Sequence, residues 1–285
     1  MPRLADKKPE KRFTALFVGP KNSGKSSQAA TFIPDNPNEL EYYFDFDDRM
    51  NGVIDTAKKY GFIDLNRIFF DTYPPKKLVK LNPDGTDSLA ERVNKKLDEF
   101  MGQVVASQLA FGTVIWDSMT AFNNALVQEA IPLTHAGGKG RKIGAVAMTS
   151  GQEYGYESIS TYGVINCLKS LPIQNLIVTA HVVDKYGKEK HYDDEGKEIT
   201  NDYEENVVIG EKLSLRDKIA ANIGIHFDHI WRFDRKMLGG MEKFSVEFRG
   251  DLACTSYNEL PNRIDITGKS LKEVVRKCLS QQQAQ

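Results

Sequence analysis

Cysteine is scarce in this chain: Cys167, Cys254 and Cys278 are the only three in 285 residues, odd in number and widely scattered. That excludes a paired disulfide framework and metal-type cysteine spacing, and suits a reducing compartment. Long apolar runs are missing as well. No segment approaches the roughly 20 apolar residues of a membrane helix, and the opening MPRLADKKPEKR lacks the apolar centre of a secretory signal. A cytoplasmic protein with no membrane partner is expected. Net charge is almost absent too, with 38 basic residues against 39 acidic, so any polyanion would have to be met by a local patch. What is present is apolar material: 40% hydrophobic content is enough to build a substantial core.

Residues 1–12 hold five basic residues and two prolines and read as a flexible basic arm. Residues 13–280 read as a single domain, and 281–285 as a frayed tail. From Phe13 onward, short apolar strands alternate with helical stretches, the pattern of an α/β fold with a mostly parallel central sheet flanked by helices. Strands are expected at Phe13–Val18, Tyr42–Phe46, Ile68–Phe70, Thr113–Trp116, Asn175–Thr179 and His229–Phe233. Leu89, Val93, Leu97, Met101 and Val104 recur at helical spacing, and SISTYGVINCLKSL does likewise. FDRKMLGGMEKFSVEFRGD reads as a C-terminal β-hairpin turning at Gly239 and Gly240, followed by a helix with Leu271, Val274, Val275 and Cys278 on its apolar face. Two stretches break the alternation: the glycine-rich loop 134–152 and the polar insertion 184–205. Loops that long are functional or disordered.

The segment FVGPKNSGKSS fits G-x-x-x-x-G-K-[ST] at Gly19, Gly24, Lys25 and Ser26, with a strand before it and a helix-compatible SSQAATF after it. The residue types follow from the chemistry. Glycine lets backbone N–H groups wrap a phosphate, so Gly19, Pro20, Lys21, Asn22, Ser23, Gly24, Lys25, Ser26 and Ser27 form the candidate cofactor-binding loop. Lys25 would reach the β and γ oxygens and Ser26 would ligate Mg2+, making ATP and Mg2+ the expected cofactors. Such a loop also needs a carboxylate at the end of a neighbouring buried strand to hold the metal. GTVIWDSMTAF supplies Asp117, for which the competing role is a cap on the following helix. The next residue is Ser118, not a glutamate, so a general base must come from elsewhere. Asp45, Asp47 and Asp48 in YYFDFDDRMNG are the candidates, and the choice among them is open.

These residues resemble a RecA-type ATPase core. GPKNSGKSS is similar to that family's P-loop in the proline after the first glycine and the serine before the second, VIWDSMTAF resembles its hydrophobic-Asp-Ser strand end, and YYFDFDD sits where it carries a catalytic glutamate. By that match Asp47 takes the glutamate's place. NLIVTAHVVD resembles the strand whose polar end senses the γ-phosphate, and its Thr-Ala-His, ending at His181, is closer to the small RecA-like ATPases of bacteriophages, as is VVIGEKLSLRDKIAANIGIHFDHIWRF. The resemblance covers roughly Phe13 to Gly250. It implies a RecA-like P-loop NTPase core, catalysis by Lys25, Asp47, Asp117 and His181, and an ATPase in phage recombination, single-strand annealing or replication. It also implies single-stranded DNA, a homo-oligomer in ring or filament form, and a single-strand-binding or replication protein as partners.

In that family two loops line the DNA channel. Here the first position carries Lys139, Arg141 and Lys142, which suit phosphate contacts or simply solvent. The second, 184–205, has nine acidic residues against four lysines, which repels DNA unless the tip turns away. Lys243 and Arg249 occupy positions from which a neighbouring subunit would complete the nucleotide site, or where exposed strand residues would stand. Other classes fit less well. A small-molecule kinase usually has an arginine-bearing lid, and the long insertion contains no arginine. In NKKLD, Leu97 occupies the position where a guanine-reading motif needs aspartate. A nucleotide-dependent scaffold or switch remains the non-enzymatic alternative.

Overall fold

The computed structural model describes residues 12–73, 89–136, 141–143, 146–148, 152–188, 191–192, 198–199 and 206–282. In chain order the elements are β1 (Phe13–Gly19), α1 (Lys25–Ala29), β2 (Leu40–Asp45), α2 (Met50–Tyr60), β3 (Ile68–Thr72), α3 (Leu89–Val105), β4 (Phe111–Asp117), α4 (Met119–Ala136), β5 (Arg141–Ile143), β6 (Val146–Met148), α5 (Glu153–Ser170) and β7 (Asn175–Lys188). There follow β8 (His191–Tyr192), β9 (Glu198–Ile199), β10 (Asn206–Leu213), α6 (Asp217–Ile223), β11 (His229–Leu238), β12 (Met241–Glu247), β13 (Cys254–Thr255), β14 (Arg263–Asp265) and α7 (Leu271–Gln282). All six expected strands form, most of them running a little further than the apolar pattern alone indicates.

The main sheet runs β14-β12-β11-β1-β7-β4-β2-β3. Its six strands from β11 to β3 are mutually parallel, and β12 and β14 extend it antiparallel. The phosphate-loop strand β1 is thus separated from the Asp117 strand β4 by one strand, β7. This is an α/β architecture, a mostly parallel central sheet flanked by helices. Across the parallel strands Gly19 pairs with His181 and Asp45 with Asp117, which brings these four residues to one rim of the sheet.

Both faces of the sheet are covered, which explains its nearly continuous apolar strands. Leu16, Val18, Phe44, Trp116 and Val178 point into a core shared with α3, α4, α5 and α6. Ala15, Phe17, Tyr43, Ile115, Ile177, Trp231 and Phe233 point the other way, against α1, α2 and α7. Alternate residues of one strand therefore serve opposite cores. On α7, Leu271 and Val275 are buried, whereas Val274 and Cys278 are half-buried.

Four boundaries differ from expectation. Arg12 is not part of a free arm: its guanidinium donates to the carbonyls of Leu168, at 2.9 Å, and Lys169 in the last turn of α5, satisfying acceptors that have no partner within the helix. The insertion 184–205 does not begin as a loop. Strand β7 continues through Lys188 and pairs antiparallel with β10 from Asn206 to Leu213, forming a two-stranded ribbon beyond the sheet. The glycine-rich 134–152 contains the β5–β6 ladder, with Arg141 opposite Met148 and Lys142 opposite Ala147. At the C-terminus α7 extends to Gln282, two residues into what reads as tail. Among the described residues no helix is long and apolar enough to cross a membrane.

Candidate functional site

The phosphate loop leaves β1 at Gly19, where a side chain has no room: a Cβ there would stand 2.4 Å from the Phe233 carbonyl oxygen. Gly24 has φ 89°, a left-handed conformation that favours glycine, and leads directly into α1. Because α1 has only five residues, loop N–H groups rather than a long helix dipole would bind an anion here. Asn22, also left-handed at φ 64°, is pinned by a 3.0 Å hydrogen bond from Arg49 to its side-chain oxygen. Ser23 is buried, while Lys21 is exposed at the loop tip. Ser27 turns toward α2, its hydroxyl 2.9 Å from that of Thr56.

Lys25 is buried within its own loop. Its ammonium donates to the carbonyls of Gly19 (3.0 Å) and Pro20 (2.8 Å), and lies 3.4 Å from both Ser23 Oγ and His181 Nδ1. Burial lowers its pKa to about 8 against the pull of Asp117 and Asp47, with Arg49 adding to the lowering. A cation so enclosed is a natural counter-charge for phosphate oxygens.

Asp117 ends β4 with its carboxylate buried. Oδ2 accepts from the Tyr43 hydroxyl at 3.0 Å, and Oδ1 accepts from the Thr179 hydroxyl. The Tyr43 hydroxyl also lies 3.1 Å from the Ser26 carbonyl, tying the base of α1 to the Asp117 strand. Burial, reinforced by the Asp117 charge, pushes the Tyr43 phenol well above its ordinary pKa, so it remains a donor. Asp117 is not the cap of α4. That place belongs to Ser118, whose Oγ accepts from Ala121 N at 3.2 Å.

The three aspartates after β2 have separate surroundings. Asp45 accepts from the backbone N–H groups of Arg49 (3.0 and 3.1 Å) and Met50 (3.4 Å), holding the start of α2. Burial raises its pKa to about 6, with those N–H bonds opposing the rise. Asp48 is exposed in a left-handed turn at φ 53°. Asp47 alone engages another candidate residue: its Oδ2 lies 3.1 Å from His181 Nε2. Burial pushes the Asp47 carboxyl up, but bonds from His181 and Ser118 and the nearby Arg49 outweigh it and hold the pKa below the ordinary value.

His181 is placed by the sheet. It pairs in register with Gly19 across β1 and β7, and its backbone N–H donates to the Thr120 hydroxyl of α4 at 3.0 Å. One cleft therefore gathers Ser23, Lys25, Ser26, Asp47, Arg49 and His181. A second cavity shares Gly24, Ser27, Thr56 and Phe244 with it, and is walled by Tyr60, Phe62, Phe244 and Ile266, with Gln28, Asp55, Lys59 and Glu242 among its polar groups. Its flat apolar wall beside a phosphate loop suits a nucleobase.

Other candidates stand outside the cleft. Lys139 lies outside the described residues, and Arg141 and Lys142 lie on β5. Lys243 is half-buried on β12, opposite Lys236 of β11. Arg249 is not a free strand-end cation, because its guanidinium donates to the carbonyls of Leu260 (2.6 Å) and Tyr257 (3.0 Å) and clamps the segment before β14. Serving a neighbouring subunit would require it to break both bonds. Conversely, Tyr43, Thr179 and Arg49 belong to this site although no motif in the sequence points to them. Thr179 had a signal, standing two residues before His181 on the same strand, but Tyr43 reads simply as core.

No family model matches the chain, and no curated protein matches it. Among solved structures, a KaiC-like protein from the hyperthermophilic archaeon Pyrococcus horikoshii OT3 is similar at 13% sequence identity and a TM-score of 0.48, covering 90% of this chain and 87% of that one.

Proposed function

We propose that this chain binds Mg-ATP at the Lys25–Asp117 cleft and hydrolyses it, and that the nucleotide controls assembly of the protein on single-stranded DNA or on a DNA-bound partner. The observation that carries the nucleotide half is the junction of Ser26, Tyr43 and Asp117 next to a buried Lys25. The residues fit the ligand. Gly19 leaves space no side chain could share, Lys25 supplies a desolvated positive charge, and Asp117 presents a carboxylate at the same rim. Among the described residues no three His, Cys, Asp or Glu side chains gather as a metal site. Magnesium, held by the Ser26 hydroxyl and Asp117 with phosphate and water completing its shell, would supply charge neutralisation on the phosphates.

The roles then divide. Lys25 draws the β and γ oxygens, Arg49 steadies the loop tip through Asn22, and His181 and Asp47 face the terminal phosphate. His181 lies on the strand that continues into the β7–β10 ribbon, and this supports a path from phosphate state to partner-binding segments. The resemblance to phage RecA-like proteins supports a role in recombination, annealing or replication in a host cytoplasm, with a homo-oligomeric ring or filament as the working form.

A second reading is favoured by one observation. The Asp47 carboxylate is already engaged by His181 and Ser118 and is held below its ordinary pKa, so it is a weak proton acceptor. Slow hydrolysis would suit a nucleotide-dependent scaffold or switch. Both readings require nucleotide, and single-turnover hydrolysis separates them. Titration of labelled single-stranded DNA at low salt, with and without Mg-ATP, tests the DNA half: nucleotide-dependent binding is expected, and no binding in either condition would remove it.

A further inference from the structure

We propose that the proton acceptor of the hydrolytic step is Nδ1 of His181, oriented by Asp47, and not a carboxylate at the end of β2. This rests on the ATPase reading above and assigns the base within it.

The tautomer follows from the neighbours. The Lys25 ammonium has no lone pair, so at 3.4 Å His181 Nδ1 is the acceptor of that contact. The ring proton is then on Nε2, which donates to Asp47 Oδ2 at 3.1 Å. A carboxylate that fixes the tautomer of an imidazole and leaves the other nitrogen facing the substrate is the arrangement of an acid–histidine dyad. The carboxylates are otherwise occupied: Asp45 holds the start of α2, Asp48 is exposed in its turn, and Asp47 already receives His181 and Ser118. Among the described residues Nδ1, by contrast, has only the long contact to Lys25, a cation that phosphate oxygens would draw away. Register with Gly19 places His181 beside the first residue of the phosphate loop.

The step balances as follows. A water O–H donates to Nδ1 while its oxygen attacks the γ-phosphorus, and the bond from that phosphorus to the β–γ bridging oxygen breaks, leaving ADP with the electron pair. The imidazole holds the proton, Asp47 offsets the charge, and the proton passes to solvent when phosphate leaves. Among the described residues the charged groups facing this ring are Lys25 from α1, with Asp117 behind it, and Asp47 and Arg49 from the segment between β2 and α2, while α4 brings the Thr120 hydroxyl to the His181 backbone N–H.

Nitrogen NMR of 15N-histidine-labelled protein without nucleotide, with His181 assigned by loss of its signals in His181→Gln, reads the dyad independently of turnover. Wild type should show the Nε2–H tautomer at neutral pH, and Asp47→Ala should lose that preference. In steady-state assays His181→Gln should lower kcat by about 10²–10⁴-fold with nucleotide affinity changed only a few-fold, whereas Asp47→Asn, which still accepts from Nε2–H, should lose less. A Nδ1–H tautomer, or wild-type turnover in His181→Gln alongside a dead Asp47→Asn, would overturn the assignment while leaving the ATPase reading intact. Absence of ATP binding and turnover in wild type would overturn both.

Discussion

The hydroxyl of Tyr43 stands between Asp117 and the phosphate loop, 3.0 Å from Asp117 Oδ2 and 3.1 Å from the Ser26 carbonyl. A single buried phenol proton thus positions both residues to which metal ligation is assigned. Replacing Tyr43 with Phe keeps the ring and removes that proton, leaving a buried carboxylate oxygen without its donor. Stability should fall by about 1–3 kcal/mol, and the Mg2+ concentration needed for half-maximal nucleotide binding should rise about 10-fold, one hydrogen bond to a charged group. Binding titrations across a Mg2+ series check this, and an unchanged Mg2+ dependence would show that Tyr43 only fills the core.

Gly19 is the position where the loop tolerates least. An alanine methyl would collide with the Phe233 carbonyl of the neighbouring strand. Separation of β1 from β11 or a shift of the loop must follow, at a cost of about 1–3 kcal/mol. Thermal unfolding should register the loss, and nucleotide binding should fail with it. A Gly19→Ala protein with unaltered melting temperature and affinity would refute this geometry.

His229 makes the fold sensitive to acid. The ring is buried between Phe13 and Tyr257, its Nδ1 2.8 Å from the Thr255 hydroxyl, and burial lowers its pKa from 6.5 to about 4, only partly opposed by Asp228. The unfolded chain therefore takes up a proton first as pH falls. Stability contributed by the neutral ring is present above about pH 6.5 and is lost toward pH 4, by roughly 3 kcal/mol. Denaturant midpoints should decline across that window in wild type and decline less in His229→Phe, which keeps the stacking ring but does not titrate.

Glu41 acts with the opposite sign at the other end of the sheet. It is fully buried in β2 and neither carboxyl oxygen has a hydrogen-bond partner among the described residues, so burial raises its pKa well above 4.5 despite Lys272 and Arg67. The folded protein retains a proton that the unfolded chain releases. The associated stability is complete below about pH 4.5 and is lost as pH rises toward the folded-state value. Glu41→Gln should match wild type in acid and exceed it at pH 8 by on the order of 1–3 kcal/mol. Equal midpoints at pH 8 would mean that the carboxyl is solvated in solution.

Legibility in the sequence followed the kind of signal each residue carries. The parallel strands were readable because burial on both faces makes them uninterrupted apolar runs, and Lys25, Ser26 and Asp117 were readable because their spacing and strand context carry the chemistry. The β7–β10 ribbon was not, since Asp184, Lys185 and Glu211 belong to a polar stretch with no apolar periodicity, and β10 enters the pairing only after a long polar insertion. Tyr43 looked like any aromatic in a buried strand. Arg12 and Arg249 looked like solvated cations because their acceptors come from the end of α5 and from the turn before β14, tertiary neighbours that local sequence does not announce. Among the three aspartates, capping, exposure and the His181 contact distinguish them, and those appear only once β2 and β7 reach the same rim.

The account's central claim, that the Lys25–Asp117 cleft is a Mg-ATP site, is tested most directly by calorimetric titration of Mg-ATP into wild type and Lys25→Ala, with both proteins first shown to share one melting profile. The account predicts saturable, Mg2+-dependent binding to wild type that weakens at least about 100-fold in the variant, as expected on removing a buried charge-assisted contact. Equal binding to the two proteins, or none to wild type, would contradict it.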